Sequence, residues 1–349
     1  MPAFRFARMS ILLPVVLLVA SGCTYAQTDT VRDPVAPSQS AADEFSIHKP
    51  GWAQSVEAAL IAGRFDDLDR LADQYRREKT RLKGGDWCLR EFYAALDAPQ
   101  QSDKDSQEHI DRLEQWMKLR PESITARIAL SASLHRWAWV ARGNGMANTV
   151  TADGWRLFDL RTKESQVVLE GSANMKTMDP QYYSEMLGVG LAQSWDEHRM
   201  HELFERGVQL EPDYHYLYTQ YANYLLPKWD GHPGDASSFA KSSADKRGGD
   251  AGDMLYFQIT TVLVKRGDGN FPVNELDWKR IQRGFSVLTA QYGATRKNQN
   301  QLAFMAYKFK DVEVAKQQFA IIGDDWAESV WRDRKFFDRI RDWSHGLNS

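Results

Sequence analysis

From Trp52 to near the end of this 349-residue chain, large apolar side chains recur at three- and four-residue spacing and rarely alternate one-in, one-out. That period puts them on one side of an α-helix and leaves little room for a sheet, whose strands repeat every second residue. Val56, Leu60, Phe65, Leu68, Leu71 and Tyr75 form one stripe; Ile110, Leu113, Met117 and Leu119 begin another. Pro121-Glu122-Ser123, Asp179-Pro180 and Glu211-Pro212 place proline in first turns of helices, where its missing N–H is harmless. The folded body, residues 47–349, is read as all-α.

The helices repeat. Leu302-Ala303, Tyr307, Ala315, Phe319 and Ile322 resemble a tetratricopeptide unit, in which small residues let two antiparallel helices approach and large ones fill the gap. Met200, Phe204, Gly207 and Pro212 suggest a second unit, with Pro180 preceding Pro212 by about one 34-residue period. Gly63-Arg64-Phe65 resembles the turn inside a third. A tetratricopeptide-like helical-hairpin array, an α-solenoid, is the expected architecture. The stretch 232–253 reads as a loop or short-helix insertion.

A second resemblance rests on Trp137-Ala-Trp139 with Gly143-Asn-Gly145, Gly154-Trp155-Arg156-Leu-Phe158, Leu225-Leu-Pro227-Lys-Trp229-Asp-Gly231, and Ile322-Gly323-Asp-Asp-Trp326 with Val330-Trp331. With Ala62-Gly63-Arg64-Phe65-Asp-Asp-Leu68, these are similar to the bacterial family catalogued as domain of unknown function 4034, over roughly residues 52–335. The resemblance implies a helical, tetratricopeptide-like domain and brings no reaction and no catalytic residues. Most of the tryptophans are expected in the core, since large aromatic rings dominate packing energetics.

The N-terminus carries an address. Arg5 and Arg8 precede an apolar run, Ile11–Ala20, too short for a spanning helix of about 20 residues but suited to a signal peptide over 1–22. Leu18-Val19-Ala20-Ser21-Gly22-Cys23 resembles a bacterial lipobox, which implies diacylation of Cys23 and an outer-membrane lipoprotein facing the periplasm. Thr24-Tyr25-Ala26 offers the alternative of an ordinary cut after Ala26 and a soluble periplasmic product. Residues 23–46 are polar with scattered proline and alanine, a flexible tether.

The net charge of −3 falls further once the leader's two arginines are removed, which argues against a nucleic-acid partner. Two cysteines exclude a disulfide scaffold, and Cys88 has no histidine beside it in sequence to activate it. The chain has neither a Gly-x-Ser-x-Gly elbow nor a phosphate-cradling Gly-Lys-Ser/Thr loop. His198, His201, Glu202 and Glu205 fall on one helix face and are the only metal-ligand candidates, weak ones because no distant third ligand is marked. They carry the alternative of a metal-assisted periplasmic hydrolase; otherwise no cofactor and no catalytic residue is expected.

Tyr214, Tyr216, Tyr218, Tyr221 and Tyr224 crowd one helix that ends near Trp229. Tyrosine joins apolar area to a polar tip, which suits a wet groove. Tyr214, Tyr218, Tyr221 and Trp229, with Arg156, are the candidate binding groove on the concave side of the solenoid. The expected function is binding or scaffolding of a protein or envelope component at a membrane reached through the lipid anchor.

Overall fold

The computed structural model describes residues 45–97, 100–267 and 271–347. The stretch read as a leader, Cys23 as the candidate lipidation residue, and most of the stretch read as a tether lie outside them. Among the described residues the fold is fifteen α-helices and two short 3-10 turns. Bridge pairing is confined to an isolated contact between Arg81 and Trp87. Phe45, placed in the tether by composition, is buried with the guanidinium of Arg64 5.1 Å from its ring centroid.

The helices are α1 (Trp52–Ile61), α2 (Phe65–Glu78), α3 (Cys88–Leu96), α4 (Asp103–Leu119), α5 (Ile124–Arg142), α6 (Ala152–Glu170), α7 (Pro180–Ala192), α8 (Glu197–Leu210), α9 (His215–Tyr224), α10 (Asp235–Arg247), α11 (Gly249–Arg266), α12 (Trp278–Tyr292), α13 (Arg296–Lys308), α14 (Val312–Ile322) and α15 (Arg334–Ser344). They stack as hairpins in two layers. The inner layer runs α3, α5, α7, α9, α11, α13, each packed on the next. The outer partners α6, α8, α10, α12 and α14 each cover the inner helix before them, and α15 closes the end against α14. The tetratricopeptide-like expectation is met: Leu302, Ala303, Ala315, Phe319 and Ile322 are buried in the α13–α14 hairpin, and Met200, Phe204 and Gly207 in α8.

Three details differ from the sequence reading. Pro180 does open α7 behind its cap Asp179, but Pro121 and Pro212 sit in the turns before α5 and α9. There the chain reverses through Ser123 N–H to Arg120 O and Tyr214 N–H to Glu211 O before the helix starts. Residues 232–253, read as a loop or short-helix insertion, take the short-helix form and pack as a regular outer member of the array. They hold α10, whose Ala236, Ala240 and Ala244 are buried at four-residue spacing and let α11 approach closely. Leu119, read as part of an apolar stripe, is exposed at the end of α4.

One buried polar cluster ties the N-terminal helices to the array. Arg76 of α2 donates from Nη1 to Asp179 Oδ2 at 2.5 Å and from Nη2 to Thr125 Oγ1 at 3.1 Å. Tyr93 of α3 donates to the same Asp179 oxygen at 2.8 Å, while Asp179 Oδ1 caps α7 by accepting from Gln181 N–H. Asp179 is 0% exposed, so every bond it accepts is needed to offset its desolvation. Arg76→Ala is expected to lower the unfolding free energy by about 3–5 kcal/mol, the usual effect of stranding one partner of a buried pair. Arg156→Ala, which removes only an exposed pair with Asp153, should leave the urea midpoint where it was.

Candidate functional site

A short loop between α2 and α3 decides where the inner surface closes. Leu82 N–H donates to Asp86 O and Gly85 N–H to Leu82 O, which folds residues 81–87 back on themselves. The tip reaches the far end of the array: Gly84 N–H donates to Gly293 O at 3.1 Å. Gly84 and Gly85 have φ of +84° and +83°, and a Cβ on Gly84 would lie 2.6 Å from Asn298 Oδ1. Only glycine satisfies both the left-handed backbone and the close approach. Behind the tip, Arg81 and the Trp87 indole both donate to Asp213 O, at 3.2 and 3.3 Å, with the guanidinium 3.6 Å from the indole centroid.

Closure leaves a polar hollow of about 270 Å³ in the inner layer. Its walls come from α3 (Arg90), α7 (Ser184, Glu185), α9 (His215, Tyr216, Thr219, Gln220), α11 (Gln258, Thr261, Arg266) and α13 (Lys297, Gln301). Asp86 accepts from the Tyr216 hydroxyl at 3.0 Å and pairs with Lys297 at 3.4 Å. Glu185 accepts from Gln181 Nε2 at 2.5 Å. Burial raises the Glu185 pKa while the neighbouring Arg90 charge opposes the rise. His215 is 7% exposed, and its Nδ1 finds no partner among the described residues. The hollow thus offers one buried ring nitrogen, His215 Nδ1, that the described residues do not satisfy.

The residues singled out from sequence fall elsewhere. Tyr214, Tyr218 and Tyr221 are buried between helices and line no groove. Tyr214 donates to Gln181 and Tyr218 to Pro212 O, while the Tyr221 ring stacks on Phe204 at 4.7 Å. The face of α9 that meets the hollow is the other one, at 215, 216, 219 and 220. It escaped notice because its polar residues look like an ordinary solvated face; the signal available was its position opposite the Leu217 stripe. Arg156 holds Asp153 three residues before it and joins neither Trp229 nor the hollow.

Trp229 instead belongs to an aromatic cluster built from the tryptophan motifs. Trp139 packs edge-on against Phe158 at 4.9 Å and Trp229 at 6.2 Å, Trp155 meets Phe158 at 5.8 Å, and the Arg142 guanidinium lies 5.4 and 5.2 Å from Trp139 and Trp155. Trp139 Nε1 donates to His135 Nε2 at 2.9 Å. Gly188 lies between His135, the acceptor of that bond, and Gln220 of the hollow's wall.

The hydrolase residues do not assemble. His198 is 83% exposed, 3.9 Å from Glu202; His201 Nδ1 is 3.4 Å from the Tyr221 hydroxyl; Glu205 faces Lys246 at 3.7 Å. Among the described residues no three His, Cys, Asp or Glu side chains converge to hold a metal ion. Cys88 is fully buried and burial pushes its thiol up to about 11, away from nucleophilic use. No described helix is long and apolar enough to cross a membrane.

Burial, reinforced by the Arg81, Lys297 and Arg90 charges and opposed by Asp86, lowers His215 to about 3. Between its ordinary value near 6.5 and about 3, the unfolded chain takes up a proton that the native histidine refuses, so this residue's contribution to stability is lost as pH falls through that window. The raised carboxyls Glu185 and Glu91 act in the opposite sense. The midpoint difference between wild type and His215→Gln, followed by thermal melts, isolates the histidine: it should shrink as pH falls from 7 to 5, and a constant difference would contradict the burial account.

No curated protein and no solved structure matched the chain. A family model did, over residues 53–174, which span α1 to the turn after α6 and include the Gly63-Arg64-Phe65, Trp137–Trp139 and Gly154–Phe158 motifs. The motifs at 225–231 and 322–331 lie beyond the matched stretch. Residues 53–174 are thus similar to the family described as Domain of unknown function (DUF4034).

Proposed function

We propose that this chain is a non-catalytic binding protein of the bacterial cell envelope, anchored through a lipidated Cys23 and engaging a protein or envelope partner with the inner face of its helical array. The observation that carries the reading is the hollow at the loop 81–87, where His215 Nδ1 lies buried without a partner. Unsatisfied buried polar groups are uncommon in native proteins and concentrate where something else completes them. Repeat arrays use their concave side in this way because each unit adds one helix to a continuous surface. The lipobox-like Leu18–Cys23 supports the anchor, and the polar stretch after it supports a tether long enough to hold the array clear of a membrane.

The test is crosslinking capture from the native cell, with the mass of the mature N-terminus recorded. Gln258→Arg places a long side chain into the hollow from α11. Capture of a reproducible partner by the wild type, reduced at least tenfold in Gln258→Arg, together with diacylated Cys23, is the expected result. Equal capture by both proteins would remove the hollow from the function, and an unlipidated start at Gln27 would remove the anchor.

A further inference from the structure

Beside the hollow, α11 and α13 make a second depression of about 160 Å³ that shares Thr261, Arg266 and Lys297 with it. Its lining combines the cations Lys265, Arg266 and Lys297 with the apolar side chains Phe304, Met305 and Val330. Among the described residues Lys265 and Arg266 have no carboxylate partner. Lys297 has Asp86 at 3.4 Å, whereas the hydrogen bond recorded for Arg266 is a 3.4 Å contact from Nη1 to the neutral Gln220. Desolvation by the flanking helices lowers the Arg266 pKa, while the side chain itself is exposed to solvent. Lys265 is lowered by burial and then by the like charges of Arg266 and Lys297. Lys265 and Arg266 of α11 and Lys297 of α13 bring three cations to one depression against the single carboxylate of Asp86, and an anion between them relieves their mutual repulsion. A guanidinium fork also matches the two oxygens of a carboxylate or phosphate.

We infer that this notch is a binding site for an amphiphilic anion, an oxyanion head held by Arg266, Lys265 and Lys297 with a short apolar group against Phe304, Met305 and Val330. The assignment rests on the reading of the inner face as the binding surface and names the chemistry of what it takes. Val330 belongs to a motif that the described packing only partly explains: its partner Trp331 is buried among Phe304, Phe319 and Phe337, while Val330 reaches the notch.

The test is calorimetric titration of the full mature protein. The probes are hexanoate, hexyl phosphate, hexan-1-ol and inorganic phosphate. Hexanoate or hexyl phosphate should bind at least tenfold more tightly than hexan-1-ol, and hexyl phosphate at least tenfold more tightly than inorganic phosphate. The tighter of the two anions identifies the head as carboxylate or phosphate. Arg266→Gln and Lys265→Gln, both at exposed positions, should each weaken binding at least fivefold, with unchanged thermal midpoints showing that the fold is intact. Equal binding of the alcohol, no binding of either amphiphile, or affinity untouched in both variants would overturn the inference. Partner capture that stays sensitive to Gln258→Arg while no amphiphile binds would sink the ligand chemistry alone and leave the binding-face reading standing.

Discussion

The docking of the loop 81–87 onto the far end of the array is the contact on which the inner surface depends. An open stack of helical hairpins has a concave side exposed along its length, and each repeat meets only its neighbours. Here Gly84 donates to Gly293 O, and Asp86 joins Lys297 of α13 to Tyr216 of α9. A contact across so much sequence carries a loop-closure penalty, although that penalty grows only slowly with length. Several interactions offset it together: the glycine tip against Leu288 and Thr295, two donors on Asp213 O, and the arginine–indole stack of Arg81 on Trp87. The result is a hollow walled on several sides in place of a shallow groove.

The loop is itself held by what lies behind it. It leaves α2 just after Arg76 and enters α3 just before Tyr93, and both of those side chains end on Asp179 at the start of α7. The inner-layer helices therefore share a polar anchor at their N-terminal side and an aromatic one at the other, where Trp139, Phe158, Trp155 and Trp229 interlock. Tryptophans that are far apart in sequence serve one local purpose. They brace the hairpin α5–α6 against the turn after α9, and the Gly231 corner is part of that brace: a Cβ there would fall 2.0 Å from Leu225 O.

Much of this was legible in the sequence, and the limits follow from what periodicity encodes. The stripe Val56, Leu60, Phe65, Leu68, Leu71, Tyr75 is buried as its spacing required, because three-and-four spacing reports which side of a helix leaves water. The same information gave the helical hairpins at 296–322. It could not say what a polar face meets. Tyr214, Tyr218 and Tyr221 share a face because that face is core, and their hydroxyls are satisfied within it. Gln258, Thr219 and Gln220 looked like solvated surface and instead enclose the hollow. Closure was also invisible, since Gly84-Gly85 reads as a turn and nothing local marks Gly293 and Lys297 as its partners. The packing of the small-residue helix α10 into the array was hidden for a related reason: alanine and serine carry little apolar signal even where Ala240 and Ala244 are fully buried.

The central claim is that the array closes on itself through this loop, and zero-length carbodiimide coupling tests it most directly. The reagent joins a carboxylate to an amine only when the two already touch, as Asp86 and Lys297 do at 3.4 Å. Applied to dilute monomer and read by peptide mass spectrometry, it is predicted to give an intramolecular amide between Asp86 and Lys297 in high yield. Coupling at local pairs such as Lys241 with Asp245, with no product linking Asp86 to Lys297, would contradict closure and with it the hollow.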